Sequence, residues 1–285
     1  MDSALPKGIW VAIVAAVGVS MFGIHYSMRS VSDSTVVEQR QQKKHDESQE
    51  GPIQVILDPG HGGSDGGTVV FSLLEKELAL DLSLRVRRAL KRRGIHAILT
   101  REGDRDVELA ERVAIGRKHP GIPFVSIHLN RFKHASVRGA EVYVMDGKPV
   151  PLPAVKGHSD PRSGSAGLQW IDDSGDNQGF FDRRGTMLAE KVITSMTADG
   201  KLKNRGVRQR KLFIVEHAPP PAVLVECGYL SNPSEARNFS KAAFRESVAE
   251  SIAEGIATYL AKVEENPMYG FKRDSAPGAA VLTIK

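Results

Sequence analysis

Residues 53–63 read IQVILDPGHGG. Ile53–Leu57 is a short apolar run, and Asp58-Pro59-Gly60 closes it with turn residues, which predicts a buried strand delivering a loop. His61 stands just past the strand, and Gly62, Gly63, Gly66 and Gly67 read as a flexible rim around it. A phosphate-cradling loop would also be rich in glycine, but the GK[ST] ending it needs is absent. Ser64 and Asp65 read as solvent-facing loop residues.

Outward from this stretch, strand-like and helix-like segments alternate. Glu75–Arg93 carries Leu78, Leu82, Val86, Ala89 and Leu90 on one helical face and Glu77, Asp81, Arg85, Arg88 and Arg92 on the other, with Gly94 as its stop. Ala97–Thr100 reads as a strand, Val107–Lys118 as a helix, and Phe124–His128 and Ala140–Met145 as strands. Arg184–Thr197 reads as a helix, Leu212–Val215 and Ala222–Glu226 as strands, and Ala243–Val263 as a long closing helix. Its face is Phe244, Val248, Ile252, Ile256, Tyr259 and Val263, with Arg245, Glu246, Glu250 and Glu254 outward. Such alternation predicts an α/β fold: one domain with a twisted, mostly parallel sheet and helices on both faces.

Polar residues interrupt the apolar strands at informative places. His61, His128 and Glu226 each lie at the C-terminal end of a predicted strand, where open α/β sheets place their binding crevice. Each alone is compatible with an ordinary hydrogen-bonding role. Glu75 precedes Leu78 and Leu82 by three and seven residues, so it belongs to the apolar face, whereas Glu77 falls among the charges. A carboxylate on an apolar face costs free energy unless a cation or donor compensates it. A buried salt bridge or a first-turn contact with the helix dipole would do so. So would a metal, since two imidazoles and one carboxylate make a catalytic zinc set with its fourth position open. The spacings match no compact signature such as HExxH.

The segments VILDPGHGG, EKELALDL, LTR, SIHLN and AVLVECGYLSN resemble, in order, the successive blocks of the zinc N-acetylmuramoyl-L-alanine amidases with a phosphorylase/hydrolase-like fold. The resemblance runs from about Val55 to the helix ending near Val263. It implies that His61, Glu75 and His128 ligate Zn²⁺, that Glu226 is the catalytic carboxylate, and that the substrate is peptidoglycan. The bond cut would join the lactyl group of N-acetylmuramic acid to L-alanine. Asp58 and Asn130 are candidates, by sequence proximity, for orienting the histidines from behind. Ala79 stands where relatives commonly have Asn, Gly116-Arg117 where they have Ala-Asn, and Cys227 where an apolar residue is usual. None is a metal or catalytic position, and Cys227 reads as a small buried strand residue rather than a nucleophile. The competing functions are another zinc amidohydrolase or peptidase acting on muropeptides, and a non-catalytic wall-binding module.

The flanks complete the organisation. From Gly8 to Met28 there is no charged residue, and Ile9–Ile24 is almost wholly apolar, bracketed by Lys7 and Arg29. A spanning helix needs about 20 such residues and a signal-peptide core roughly 7–15, so the length favours an uncleaved anchor, while Gly18-Val19-Ser20 offers a small-x-small cleavage pattern. The expected organisation is therefore a membrane anchor or signal at 1–29, a polar tether at 30–51, a catalytic domain at 52–265 and an extension at 266–285. The place of action would be the cell envelope, outside the cytoplasmic membrane. The insert 147–182, rich in Gly, Pro, Ser and Asp, is long enough to be functional. In some relatives of the resembling family an inserted segment covers the zinc site until a protein partner moves it. Asp160, Asp172, Asp173, Asp176 and Trp170 could serve such a lid; a surface loop is the alternative. The net charge of +5 suits a polyanionic wall or membrane as well as nucleic acid. No zinc-finger spacing or RNP motif supports nucleic acid, so none is expected as partner. A single cysteine excludes an internal disulfide and any multi-thiolate metal site.

Overall fold

The computed structural model describes residues 51–70, 72–145 and 177–265. The first strand, β1 (Val55–Pro59), is buried along its whole length. A two-strand ribbon, β2 (Val69–Val70) and β3 (Leu73–Leu74), then leads into helix α1 (Glu75–Arg92). There follow β4 (Ala97–Leu99), α2 (Leu109–Arg117), β5 (Phe124–Asn130) and β6 (Ala140–Val144). The chain continues through α3 (Asn177–Thr197), β7 (Asn204–Gln209), α4 (Phe213–His217) and β8 (Ala222–Tyr229). It closes with α5 (Pro233–Phe239) and α6 (Ala242–Glu265).

The strands form one sheet in the order β4-β1-β5-β8-β6-β7. All neighbours pair parallel except β6 with β8, so β6 and β7 run against the other four strands. Strand alternation sends side chains to two covered faces. Val55, Leu57, Val125, Ile127, Val223 and Val225 meet α1, α3 and α6 in the main core. Ile56 and Phe124 point the other way, onto α2 and α4. The mostly parallel α/β sheet flanked by helices is as the sequence predicts. The expected N-terminal hydrophobic helix lies outside the described residues, as does 147–176 of the long insert.

Three local expectations differ. Of Leu212–Val215, the last three residues open a short helix, α4, with Leu212 as its N-cap, rather than a strand; four apolar residues cannot distinguish the two by periodicity. Strand β7, read as neither helix nor strand, is an edge strand of polar sequence (NRGVRQ), which carries no apolar alternation. Helix α3 starts at Asn177, seven residues before the first helical residue expected. The outward faces of α1 and α6 are also not simply solvated. Asp81 and Arg85 meet Arg245 and Glu246, and Arg92 and Arg93 meet Glu250.

Candidate metal centre

β1 and β5 are parallel neighbours, and both end at the same edge of the sheet. That shared edge brings His61, just past β1, beside His128 on β5; the two rings lie edge to face with centroids 4.9 Å apart. Glu75, the first residue of α1, is buried at 4% exposure and enters from the other side. Its Oε1 lies 3.0 Å from His61 Nε2 and 3.0 Å from His128 Nδ1. One ligand atom from each of the three residues lies within 4.8 Å of the other two. Glu77 is exposed, so the helix phase puts Glu75 inward as its apolar spacing requires. Backbone N–H groups fix the carboxylate: Thr68 donates to Oε2 at 2.8 Å and Leu129 to Oε1 at 3.1 Å. Burial alone would raise the Glu75 pKa, but the bonds to His128 and His61 outweigh it and hold the group far below the usual carboxylate range. Burial likewise opposes protonation of His61, yet Glu75 and Asp65 together raise its pKa.

The residues that orient these side chains are not those suggested by position. Asp58 touches neither imidazole; its oxygens accept from Thr100, Ser126 and Arg112 at 2.6, 2.7 and 2.8 Å, tying β1 to its neighbours. With three donors already on it, it has no share in the histidines. Asn130 donates to Glu141 at 3.1 Å and its oxygen accepts from the Arg131 amide. The group behind His61 is Asp65, exposed as expected but 2.7 Å from Nδ1. A carboxylate there can only accept, so it places a proton on Nδ1 and directs Nε2 at the cluster. A histidine and an aspartate four apart in one turn were a usable signal for it.

The glycine rim is clamped rather than flexible. His61 itself has φ +57°, a conformation that side chains other than Gly seldom adopt. Two buried guanidiniums hold it. Arg101 donates to the carbonyls of Pro59 and Gly60, and Arg112 to those of Pro59 and His61. Asp104 and Asp106 accept from the amides of Gly63 and Ser64, at 2.8 Å each. A Cβ at Gly60 would lie 2.3 Å from the His128 ring, and one at Gly67 2.6 Å from His61 and 2.8 Å from Glu75. These two glycines are required by close approach to the cluster.

Glu226 sits on β8 opposite His128 on one side and Glu141 on the other. One of its oxygens, Oε2, is shut from solvent and has no hydrogen-bond partner among the described residues. Burial first, then the charges of Glu75 and Glu141, push its pKa well above the usual range, while Arg210 pulls it down. Such a carboxyl can hold and release a proton. Cys227, next in sequence, points into the opposite core and is fully buried, which pushes its thiol up and leaves it inert. Glu141 was missed, although a carboxylate inside the apolar strand AEVYV is the same signal that exposed Glu226. It is 1% exposed and accepts from the hydroxyls of Tyr143 and Tyr229 at 2.7 and 2.6 Å. Arg205 and Arg208 approach it at 3.0 and 2.9 Å. Burial alone would raise its pKa; the Tyr229, Tyr143 and Arg205 bonds outweigh that and lower it.

A family model described as N-acetylmuramoyl-L-alanine amidase matches residues 55–258, the stretch that holds every one of these groups. The chain belongs to this family. Among its relatives, N-acetylmuramoyl-L-alanine amidase AmiA of Escherichia coli is 32% identical over 231 residues, covering 77% of this chain and 80% of the relative. The solved amidase AmiC2 of Nostoc punctiforme is 30% identical with a TM-score of 0.58, covering 74% of this chain and 99% of that one. The CwlD amidase of Clostridioides difficile, solved in complex with the GerS lipoprotein, is 26% identical with a TM-score of 0.58, over 74% of this chain and 100% of that one. The amidase fold and the order of the sequence blocks therefore agree along the described domain.

Proposed function

We propose that this chain is a zinc-dependent peptidoglycan amidase that hydrolyses the bond between N-acetylmuramic acid and the L-alanine of the stem peptide. The observation that carries the reading is the convergence of His61 and His128 on one oxygen of Glu75, together with the orphaned Oε2 of Glu226. Two imidazoles and a carboxylate suit zinc, and their number leaves a coordination position for substrate chemistry. His61, Glu75 and His128 would hold the zinc, which would supply a Lewis acid able to acidify water and polarise a carbonyl. The remaining work belongs to the chain. Asp65 sets the tautomer of His61, and the amides of Thr68 and Leu129 set the plane of Glu75. Glu226 accepts the proton of the attacking water and gives it to the leaving L-alanine amine. Its raised pKa supports the second half of that task. A wall-binding module without activity would have no need of this proton carrier.

The substrate lies outside the cytoplasmic membrane, so the domain at 52–265 must be exported. Among the described residues no helix is long and apolar enough to cross a membrane. We assign export to residues 1–29 as an anchor, with 30–51 as tether and 266–285 as an extension. Digestion of purified wall followed by mass analysis of the products tests the activity. Intact stem peptides bearing a free L-alanine amine are expected; products cut at a sugar linkage or inside the peptide would overturn it.

A further inference from the structure

Beyond Glu226 the polar face of β6 and β7 carries a concentration of positive charge. Arg205, Arg208 and Arg210 lie on or just past β7, and Arg208 and Arg210 are exposed. They are packed deliberately rather than scattered. Arg205 stacks over the Tyr229 ring with its guanidinium carbon 5.1 Å from the centroid, and Arg210 lies over Tyr143 at 5.7 Å. Both tyrosine hydroxyls are turned onto Glu141, so the rings are held in place to support the guanidiniums. Arg205 and Arg208 each make their closest approach to Glu141 through Nε, on the same oxygen. Three guanidiniums thus face two carboxylates, Glu141 and Glu226. Glu141 is already filled by its five donors. The surplus positive charge falls on the exposed end of the row.

Structure alone does not account for that end. The Arg208 side chain is 47% exposed and Arg210 is exposed as well, and at such positions an ion pair contributes little to stability. Arginine kept over an aromatic ring is, however, suited to receiving a planar carboxylate in two-point fashion. The register places this row next to the reacting centre, since Glu141 and Tyr143 on β6 face Glu226 and Leu224 on β8, and Tyr143 faces Arg208 on β7. We propose that Arg208 and Arg210, braced by Tyr143 and Glu141, form a carboxylate subsite that binds an ionised carboxylate of the stem peptide downstream of the scissile amide. The occupant follows from charge complementarity, because the peptide side of the cleaved bond carries free carboxylates and the sugar side of that amide does not. The inference rests on the amidase reading and narrows it: the enzyme distinguishes stem peptides by whether this carboxylate is free or amidated.

The test uses two muramoyl tripeptides that differ only at the second residue, D-glutamate or D-isoglutamine, with the zinc-loaded full chain. Steady-state kinetics should favour the free carboxylate by about tenfold in kcat/KM, carried by KM, as expected when a charge-assisted contact is made in both ground and transition states. Arg210→Ala and Arg208→Ala should each shrink that preference, and Arg210→Lys should retain part of it. Binding of both tripeptides, measured by calorimetry on the Glu226→Gln variant, provides a readout without turnover. Cleavage of both substrates at equal efficiency by the unaltered chain, or a preference that survives both alanine substitutions, overturns the subsite. No cleavage of either, with binding still selective for the free carboxylate and lost in Arg210→Ala, supports the subsite and overturns the amidase reading. Unselective binding and no cleavage overturns both.

Discussion

Glu226 and Asp65 make separable contributions to the same centre. Glu226 touches no ligand nitrogen, so Glu226→Gln should keep the metal content of the unaltered chain. Its loss of proton transfer should lower turnover by roughly 10²–10⁴-fold. Metal analysis beside wall hydrolysis reads both, and a variant that loses zinc would show that Glu226 is a ligand instead. Asp65 acts through His61. Asp65→Asn should weaken zinc retention by about tenfold or more, as removal of a carboxylate behind a metal-binding imidazole commonly does. Titration against a chelator measures it, and Asp58→Asn serves as contrast: it should lower the melting temperature, because it strips a buried partner from Arg112 and Ser126. At this scale the sequence was partly legible. A polar residue inside an apolar strand reveals itself without coordinates, which is why His128 and Glu226 stood out. What a side chain bonds across the loop does not, since Asp58 and Asp65 flank His61 at similar distances along the chain.

The pairing of α1 with α6 shows how two faces that look solvated can be an interface. Asp81 accepts from Arg85 at 2.8 Å and from Arg245 at 2.5 Å. Burial would raise its pKa, but those two arginines outweigh it and lower it. A carboxylate with a depressed folded-state pKa contributes stability above its unfolded pKa and loses it as pH falls through the folded value. Asp81→Asn should therefore cost about 0.5–1 kcal/mol at neutral pH, with screening taken into account because the group is one-third exposed. In urea unfolding the gap between variant and unaltered chain should close as the pH falls below about 4, the ordinary range of an aspartate. A gap that persists at pH 2 would assign the effect to packing. Charge periodicity marks such faces as polar and is silent on whether another charged face meets them. The same limit hid β7, whose polar sequence gives an edge strand no apolar alternation, and made the first three residues of α4 read as a strand.

For the molecule as a whole, the central sheet and the helices were legible because long amphipathic helices and short buried strands carry unambiguous periods. The reversal of β6 was not, because nothing in AEVYV records the direction of its neighbour. The full chain should bind about one zinc, lose wall hydrolysis on chelation and recover it when zinc is returned. Full hydrolysis by the metal-free protein would remove zinc from the mechanism. In cells, the chain should sediment with membranes and keep its first residues; a mature protein beginning after residue 20 would mean a cleaved signal. Arg101 and Arg112 together grip three successive carbonyls, those of Pro59, Gly60 and His61, from positions 41 to 53 residues along the chain. The histidine loop is thus set by protein contacts before any ion arrives. Unlike a finger domain that folds around its metal, this centre should behave as a socket. Amide hydrogen exchange across residues 60–64 should be as slow in the chelated protein as in the loaded one, so zinc could come and go without the domain unfolding.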